Sequence, residues 1–544
     1  MKRILTLSFI FMLVLSACSS VDLPGPAHPA SDAVQIEVMA NTSLKPWLTQ
    51  AAEAFNKARF ETASGKPVWV NLTFNDSGQA VVDILNGSRP VLWIPDNPVW
   101  ADVLAAQKNL SYQGDCVSVA QSPLVIAVWQ PIAEALGWPG RELGWLDMGS
   151  LAADSTAWAY YSGGQFGDAL RLGHTHPGLS ATGAYTLLAI VQAAQSKSDS
   201  VSLSDIQQPM VQASVGAFEG AVSWFSSNTA ELGEAMQTRG ASFLGAAVMY
   251  ESDVFTLDGV VPIYPFEGTF MATHAACVNK SADVLAQESA LIFRNYLADM
   301  EAQTFAAQHG LRPVNASVPT PAFDPALGFD PTQPSIQFAS PSVEAVYAIQ
   351  DVWQAARKPV NLVMILDTSG SMRGSKIESL QAAAAQFMDQ MSENDYISII
   401  VYEDVPVLVL DHVHVGEKRN EARQIIAALR AQGDTPLYDS IAIAADAINR
   451  TTSSQATNVM VVLSDGKDTN SREYERLTTG LVDYAMGHST TIFTIAYGAD
   501  ADVSLLTGLA SDANGNFYLG DEASIAAIYE AMSAAFGGSV GIGR

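Results

Sequence analysis

Apolar runs alternate with amphipathic helix patterns over the last third of the chain. Five runs are mostly apolar and β-branched, and several of them are typical of parallel strands buried on both faces. They are PVNLVMIL (359–366), YISIIVY (396–402), VPVLVLDHV (405–413), NVMVVLS (458–464) and TIFTIAYG (491–498). Helix patterns such as SKIESLQAAAAQFMDQMS and REYERLTTGLVDYAMG lie between some of them. These patterns predict a doubly wound α/β domain with an antiparallel edge hairpin over 396–413.

The pattern from 34 to about 320 is less regular. VQIEVMA predicts a strand, and a helix pattern with an apolar stripe follows it. The stripe consists of Leu44, Trp47, Leu48, Ala51 and Phe55. Residues 315–342 are rich in Pro, Ala and Ser, which indicates an extended connector. We therefore predict two α/β units, 34–320 and 359–544, with a linker over 321–358.

The first 33 residues read as a targeting segment. A short basic region, Met1-Lys2-Arg3, precedes an apolar run that is too short to anchor in a bilayer, which is typical of a signal peptide over 1–17. The LSAC ending resembles a bacterial lipobox, which implies cleavage before Cys18 and lipid on its sulfur. The alternative is an ordinary signal peptide with an incidental cysteine. The Ser/Pro/Gly-rich stretch 18–33 is a predicted flexible tether, and the chain is predicted to be a lipid-anchored, extracytoplasmic membrane protein.

Charge narrows the choice of partners. The 544 residues include 28 Lys and Arg against 56 Asp and Glu, for a net charge of −28. A polyanion is repelled by nucleic acid and by anionic membrane surfaces, so neither is an expected partner. With hydrophobic residues at 48%, the chain has ample material for folded cores.

Hard oxygen donors cluster after the first strand of the carboxy-terminal unit. In DTSGSM, a carboxylate and two hydroxyls alternate directly after a buried strand, at Asp367, Ser369 and Ser371. Magnesium requires about six oxygens, so further donors should come from neighbouring strand ends. Thr435 in GDTPLYD and Asp465 in LSDG supply them. The alternative is a fold without metal, in which the serines only cap the next helix.

Together these three segments resemble the metal-ion-dependent adhesion site of the von Willebrand factor A domain family. The resemblance covers about 359–540 and implies a Rossmann-like fold. It implies Mg²⁺, or Mn²⁺ or Ca²⁺, held by Asp367, Ser369, Ser371, Thr435 and Asp465. It also implies that a protein partner offers a carboxylate to the metal. Asp434 departs from the glycine that this family often has there, and it either adds charge near the ion or points to solvent.

Hydroxyl residues open three predicted helices in the amino-terminal unit. They are Ser43 before its helix, Ser77-Gly78 in NDSGQ, and Thr182 in GLSATGAY. Helix amino termini favour anions, and three that converge would form a pocket. The alternative is that each residue is an ordinary helix cap.

Several segments of this unit resemble the bacterial extracellular solute-binding proteins. They include SPLVIAVWQPIAEALGWP, LGHTHPGLSATGAY, AAVMYESDVF and YPFEGTF. The resemblance implies two lobes with crossover strands near Pro123–Trp129 and Gly245–Tyr250, and a solute in the cleft between them. Trp93 and Tyr250 are candidate cleft walls, with core packing as the alternative. Either Glu251 or Glu267 would repel an anion if it faced the cleft, so a cationic or neutral solute stays open.

Cysteine and histidine supply few further candidates. With Cys18 assigned to lipid, Cys116 and Cys277 remain, and they form either one disulfide or two buried thiols. His174 and His176 are interpreted as exposed loop residues without a third metal ligand.

None of the catalytic motifs that we sought occurs, so we do not predict an enzyme. The favoured function is a membrane-anchored binding protein whose cleft holds a small solute and whose A domain binds a protein through a divalent cation. The first alternative is a solute-binding component of an ABC-type transporter. The second is a surface hydrolase with an unrecognised site.

Overall fold

The structure is a computed structural model that describes residues 28–321, 323–402, 404–453, 455–472, 490–538 and 541–542. Cys18, the predicted signal peptide and most of the predicted tether lie outside the described residues. So does almost all of the helix predicted over 472–487. Within the described part of the chain, no helix is both long and apolar enough to cross a membrane.

The amino-terminal unit is a two-lobed α/β structure. Its strands are β1 (Val34–Ala40), β2 (Val68–Phe74), β3 (Leu92–Ile94), β4 (Cys116–Trp129), β5 (Leu172–Thr175), β6 (Val222–Ser226), β7 (Ala246–Tyr250), β8 (Val260–Ile263) and β9 (Met271–Val278). Its helices are α1 (Lys45–Ala58), α2 (Ser77–Leu85), α3 (Val99–Ala106), α4 (Gln130–Ala135), α5 (Trp145–Ala153), α6 (Ser155–Ser162), α7 (Ala181–Gln195), α8 (Leu203–Ile206), α9 (Pro209–Ala221), α10 (Thr229–Arg239), α11 (Glu251–Val254), α12 (Val284–Ala298) and α13 (Met300–Gln308).

Two strands connect the lobes. The sheet order is β2-β1-β3-β9-β4-β7-β5-β6, with β8 beside β4. The long β4 pairs with β9 along its first half and with β7 and β8 along its second half, so it runs from the first lobe into the second. The return strand is β9, which pairs with β3 and β4. The prediction that Gly245–Tyr250 returns the chain is therefore wrong, because that segment (β7) pairs only with β4 and β5 of the second lobe.

The carboxy-terminal unit has the predicted doubly wound fold. Its strands are β10 (Val360–Asp367), β11 (Tyr396–Tyr402), β12 (Pro406–His414), β13 (Thr457–Ser464), β14 (Thr490–Tyr497) and β15 (Phe517–Gly520). Its helices are α15 (Ser375–Gln390), α16 (Val415–Ala428), α17 (Leu437–Thr451), α18 (Val503–Asp512) and α19 (Ile525–Ala535). The sheet order is β12-β11-β10-β13-β14-β15, and β11–β12 is the antiparallel pair, as predicted.

A helix within the predicted linker packs on the second lobe. This helix, α14 (Val343–Ala356), begins at Ser342, whose hydroxyl accepts the Ala345 N–H. Trp353 is buried, and its indole N–H donates to Glu219 Oε2 at 2.9 Å. A side chain fixed in this way leaves little freedom between α14 and the lobe, so this part of the linker is not extended.

The two units also touch directly. Trp224 of the second lobe stacks on Phe493 of β14, with ring centroids 5.9 Å apart. His176 Nε2 lies 2.7 Å from the Gly538 carbonyl oxygen, and the Ile542 N–H donates to Gly178 O at 2.9 Å. The end of the carboxy-terminal unit is thus anchored beside the cleft of the amino-terminal unit.

Candidate metal site and solute cleft

The first loop of the candidate metal site follows β10 directly. Asp367 ends this buried strand and is 0% exposed. Its Oδ1 accepts the Ser369 N–H at 2.9 Å, which folds the loop back on the strand end. The hydroxyls of Ser369 and Ser371 lie 3.0 Å apart. Alternate residues of one tight turn therefore present their oxygens on the same side.

The loop after β13 brings the second carboxylate to the same place. Asp465 is 0% exposed, and its Oδ1 accepts the Ser371 hydroxyl at 2.7 Å. Its backbone N–H and the Ser464 hydroxyl both donate to Asp367 Oδ2, each at 3.1 Å. Because β10 and β13 are parallel neighbours, their carboxyl ends meet at one edge of the sheet.

A third loop carries Thr435 to this edge. The Gly370 N–H donates to Gly433 O at 3.0 Å, which joins the third loop to the first. A Cβ added to Gly466 would lie 3.7 Å from Thr435 Oγ1, so the threonine hydroxyl faces the loop that carries Asp465. The structure thus brings the loops of all five predicted ligands together.

Lys376 is a member of this site that the sequence reasoning missed. Its ammonium donates to Asp465 Oδ2 at 2.7 Å, and the lysine side chain is 25% exposed. Lysine in the first turn of the helix after DTSGSM was the available signal. Because this cation balances one of the two carboxylates, the site bears less negative charge than the sequence suggested.

The donor set suits a hard divalent cation. It offers two carboxylates and three hydroxyls, all of which are ligands for magnesium. Burial raises the pKa of Asp367, and hydrogen bonds from Ser369 oppose this while the Asp465 charge adds to it. Within the described residues, no group of three or more His, Cys, Asp or Glu side chains is placed to hold a metal. A site built mainly from hydroxyls does not need such a group.

The centre of the cleft holds a carboxylate that the sequence reasoning also missed. Asp76 precedes α2 in the first lobe and is 1% exposed. Its Oδ2 accepts the Ser180 hydroxyl at 2.5 Å and the Thr229 hydroxyl and N–H at 2.9 and 3.0 Å, all from the second lobe. Its Oδ1 accepts the Thr42 hydroxyl and the Asn41 amide of its own lobe. The signal was present, since Asp76 stands directly before Ser77 in NDSGQ.

Three predicted cleft hydroxyls lie close to Asp76. We call Asp76, Asp96, Asp253 and the hydroxyl residues bound to them the polar layer. The Thr182 hydroxyl is 2.9 Å from that of Ser180 and 3.0 Å from that of Thr229. The Ser77 hydroxyl donates to Asp96 Oδ2, and the Ser43 hydroxyl donates to Asp253 Oδ2 at 3.0 Å. Each of the three hydroxyls is therefore hydrogen-bonded to another side chain of the cleft.

Gly78, Trp93 and Tyr250 have different surroundings. A Cβ on Gly78 would lie 2.4 Å from Gly178 O, so this glycine permits close contact between the lobes. Trp93 is 0% exposed and packs edge-on against Tyr112 in the core, not in an open cleft. Tyr250 is 0% exposed and lies edge-on to His274 at 5.6 Å.

The polar layer is acidic. Burial raises the pKa of Asp96 to about 7, and the nearby Asp76 charge adds to it. Burial of its carboxyl also raises the pKa of Asp253 to about 7. None of the ion pairs among the described residues involves Asp76, Asp96 or Asp253. These three carboxylates therefore form no ion pair, and a cation nearby is Lys45, which lines the same cavity as Asp253.

Cavities lie on either side of this layer, and Thr42 lines both. One has a volume of about 320 Å³ and lies between Ser43, Thr229 and Asp253. The other has a volume of about 190 Å³ and lies between Asp76 and the last helix, α19, where Glu530 lines it. The larger one falls within the size range of small-molecule sites.

The other acids and the histidines considered from sequence have structural partners. The Arg312 guanidinium pairs with both oxygens of Glu251 at 2.7 and 2.8 Å, and Glu267 accepts the Trp145 N–H at 3.1 Å. Both histidines are buried, so the prediction of exposed loop residues is wrong. His174 binds Glu219 at 2.9 Å, and His176 reaches the Gly538 carbonyl. Partners that are distant in sequence make this burial possible.

Cys116 and Cys277 form a disulfide in the structure. They are directly opposed on β4 and β9, the two strands that connect the lobes. The bridge therefore lies at the first-lobe end of the crossover.

The fold, the two lobes and the cleft agree with a family comparison. Residues 36–312 match the model described as bacterial extracellular solute-binding protein. The chain belongs to this family. Residues 361–531 match the von Willebrand factor type A domain. We refer to the two units as the solute-binding domain and the A domain. Both families are binding domains, and the first indicates a location outside the cytoplasm.

Each of three similar proteins covers only part of this chain, and this chain covers well under two thirds of the length of the curated relatives such as H4. The human inter-alpha-trypsin inhibitor heavy chain H4 is 27% identical over 167 residues, which is 29% of this chain and 18% of that protein. The sulfate-binding protein SubI from Mycobacterium tuberculosis covers 57% of this chain and 96% of its own, with 18% identity and a TM-score of 0.41. A von Willebrand factor type A structure from Catenulispora acidiphila covers 33% and 42%, with 21% identity and a TM-score of 0.30.

Proposed function

We propose that this chain is a lipid-anchored, extracytoplasmic binding protein with two binding sites. Its cleft takes a small solute, and its A domain binds a carboxylate of a protein partner through a divalent cation. The observation that carries the second part is the meeting of Ser371, Asp465 and Asp367 at one edge of the sheet. Cys18 is the proposed point of lipid attachment.

The five candidate ligands of the metal would come from three loops of the A domain. Asp367, Ser369 and Ser371 would bind from the first loop, with Thr435 and Asp465 from the other two. A bound divalent cation would supply an electrophilic position for an external carboxylate. Lys376 neutralises Oδ2 of Asp465. The other oxygen, Oδ1, accepts the Ser371 hydroxyl and is the one that would face an ion. Few charged ligands leave such an ion electron-poor.

Calorimetry with magnesium and manganese chloride tests the metal part on the full chain. We expect heat of binding from the native protein and at least about a tenfold loss of affinity in Asp367→Ala, because one of the five candidate ligands, direct or through water, is removed. Asp434→Ala is the matched control, because it deletes an exposed carboxylate in the Thr435 loop. Its affinity should stay within about threefold. No heat from the native chain, or equal losses in both variants, would remove the metal from the proposal.

Mass spectrometry of small molecules that co-purify with the full chain tests the solute part. The cavity beside Ser43 and Asp253 supports this part, since both lobes line it. A solute released on denaturation, and absent from a Ser43→Trp variant that fills the cavity, is the expected result. Identical small-molecule content in the two samples would count against a solute there.

A second candidate function is delivery of the solute to a membrane transporter. The family of the solute-binding domain favours it. In that case, deletion of the chain should abolish uptake of the co-purifying solute. Unchanged uptake would leave the binding role as the better account.

A further inference from the structure

The position where a solute-binding cleft could hold an anion is filled by the chain itself. Thr229 is the first residue of α10, and Ser180 directly precedes α7. The amino termini of these two helices, 11 and 15 residues long, carry partial positive charge toward the cleft. Both direct their donors at Asp76 Oδ2. The Asp76 carboxylate therefore already occupies the place where the partial positive charge of the two helix termini favours an anion.

Asp76 also connects the lobes. One oxygen accepts three donors from the second lobe, and the other accepts donors from Asn41 and Thr42 of the first. Immediately beside it, the Gln79 N–H donates to Leu179 O across the cleft at 2.8 Å. Hydrogen bonds to a charged acceptor are among the stronger ones, so this residue is a substantial link between the lobes.

An external oxyanion would find no remaining place in this layer. Burial raises the pKa of Asp76, and the hydrogen bonds that its carboxylate accepts oppose this. Once Asp76 is ionised, the charge of an oxyanion would lie against it, with Asp96 close by, in a site shielded from water. The described part of the chain offers no Lys or Arg paired to either carboxylate. Like charges at short range in such a site repel strongly.

We propose that Asp76 determines the charge of the solute: its carboxylate is a built-in anion that holds the lobes together, so the cleft rejects oxyanions and accepts neutral or cationic solutes. This inference rests on the proposed use of the cleft as a solute site. It predicts that removal of the carboxylate converts the cleft into one that takes a small anion from solution.

The test compares the full native chain with Asp76→Gly in EDTA, with sodium formate and sodium sulfate as probes. Without a divalent cation, formate cannot bind at the proposed metal site of the A domain. In the native protein, neither salt should give heat of binding or slow hydrogen exchange at the Thr229 N–H. In Asp76→Gly, exchange at Thr229 should be at least about tenfold faster than in the native protein. Formate should slow exchange at Thr229 again. It should also reverse at least about half of the decrease in melting temperature that the substitution causes. Sodium chloride at equal ionic strength is the control salt.

Asp83→Ala is the matched control variant. Its carboxylate lies on the same helix but binds Asn75 and Gln79 of its own lobe. It should show neither faster exchange at Thr229 nor any response to formate. If Asp76→Gly does not fold, Asp76→Ala removes the same carboxylate and both of its acceptor oxygens while keeping a Cβ. It should still exchange at least about tenfold faster at Thr229.

Two results would overturn the proposal. One is binding of sulfate or formate by the native chain as tightly as by Asp76→Gly. The other is native-like exchange at Thr229 in Asp76→Ala. A failure of solute binding in general would appear differently, as no solute co-purifying with the native chain, and would leave the response of Asp76→Gly to formate unchanged.

Discussion

Removal of the disulfide between Cys116 and Cys277 should strongly destabilise the solute-binding domain. The two cysteines are 161 residues apart, and the loop that they close contains the whole second lobe. Cross-linking residues that far apart restricts the unfolded chain by about 5 kcal/mol in the chain-entropy model, and measured values are usually about 2–4 kcal/mol. Domain stabilities are of order 5–15 kcal/mol, so the loss is a large part of the total.

The double variant Cys116→Ala/Cys277→Ala makes this measurable by urea unfolding. With a denaturant dependence of about 3 kcal/mol per molar urea, the midpoint of the solute-binding domain should fall by about 1 M. Dithiothreitol should lower the midpoint of the native chain by a similar amount and leave that of the double variant unchanged. The A domain contains no cysteine, so its own transition is an internal control.

A midpoint within about 0.3 M of the native value would refute this reasoning. It would mean that the unfolded chain is already compact across these residues, or that the bridge does not form in solution. A shift of equal size in the transition of the A domain would refute it differently, by showing that the two domains unfold as one unit.

Two further predictions concern buried polar groups. Trp353→Phe keeps an aromatic ring but removes the N–H that donates to buried Glu219, which should cost about 1–3 kcal/mol in urea unfolding; a change under about 0.5 kcal/mol would contradict it. Asp96 has its pKa raised by burial to about 7, above the ordinary 3.8, so the stability it contributes is full below about pH 4 and is lost as the pH rises through 7. Asp96→Asn should flatten thermal stability between pH 4 and 7, and an unaltered slope would disprove this assignment.

The strands of the A domain could be predicted closely from sequence. The predicted run 359–366 corresponds to Val360–Asp367, and 458–464 corresponds to Thr457–Ser464. Parallel strands buried on both faces need continuous apolar residues, so their bounds are marked in the sequence itself. The antiparallel edge pair is less buried, and it was predictable because two apolar runs follow each other closely in sequence.

The path between the lobes could not be predicted in this way. AAVMY and MATHAACV are both apolar, and their composition does not state which one crosses back to the first lobe. The structure assigns the crossing to β9, because β9 rather than β7 pairs with β3 of the first lobe. Strand pairing is a long-range property, and apolar pattern is a local one.

The roles of individual polar residues depended on distance in sequence. The ligand loops of the A domain follow strand ends directly, so Asp367 and Asp465 stood out. Asp76 did not, because its partners Ser180 and Thr229 are 104 and 153 residues away. His176 was judged exposed, because its partner Gly538 is 362 residues away in the other domain.

The sequence by itself determined two α/β domains and the residue types for a hard-metal site. This is because the spacing of apolar residues and the oxygen-rich turns are properties of residues that are neighbours in sequence. Only the tertiary structure decided that the cleft is acidic, that Asp76 joins its lobes, and that Lys376 neutralises Asp465. These features arise where separate segments meet, because a buried carboxylate needs hydrogen-bond donors or a cation. For Asp76 and Asp465 these lie on other segments of the chain.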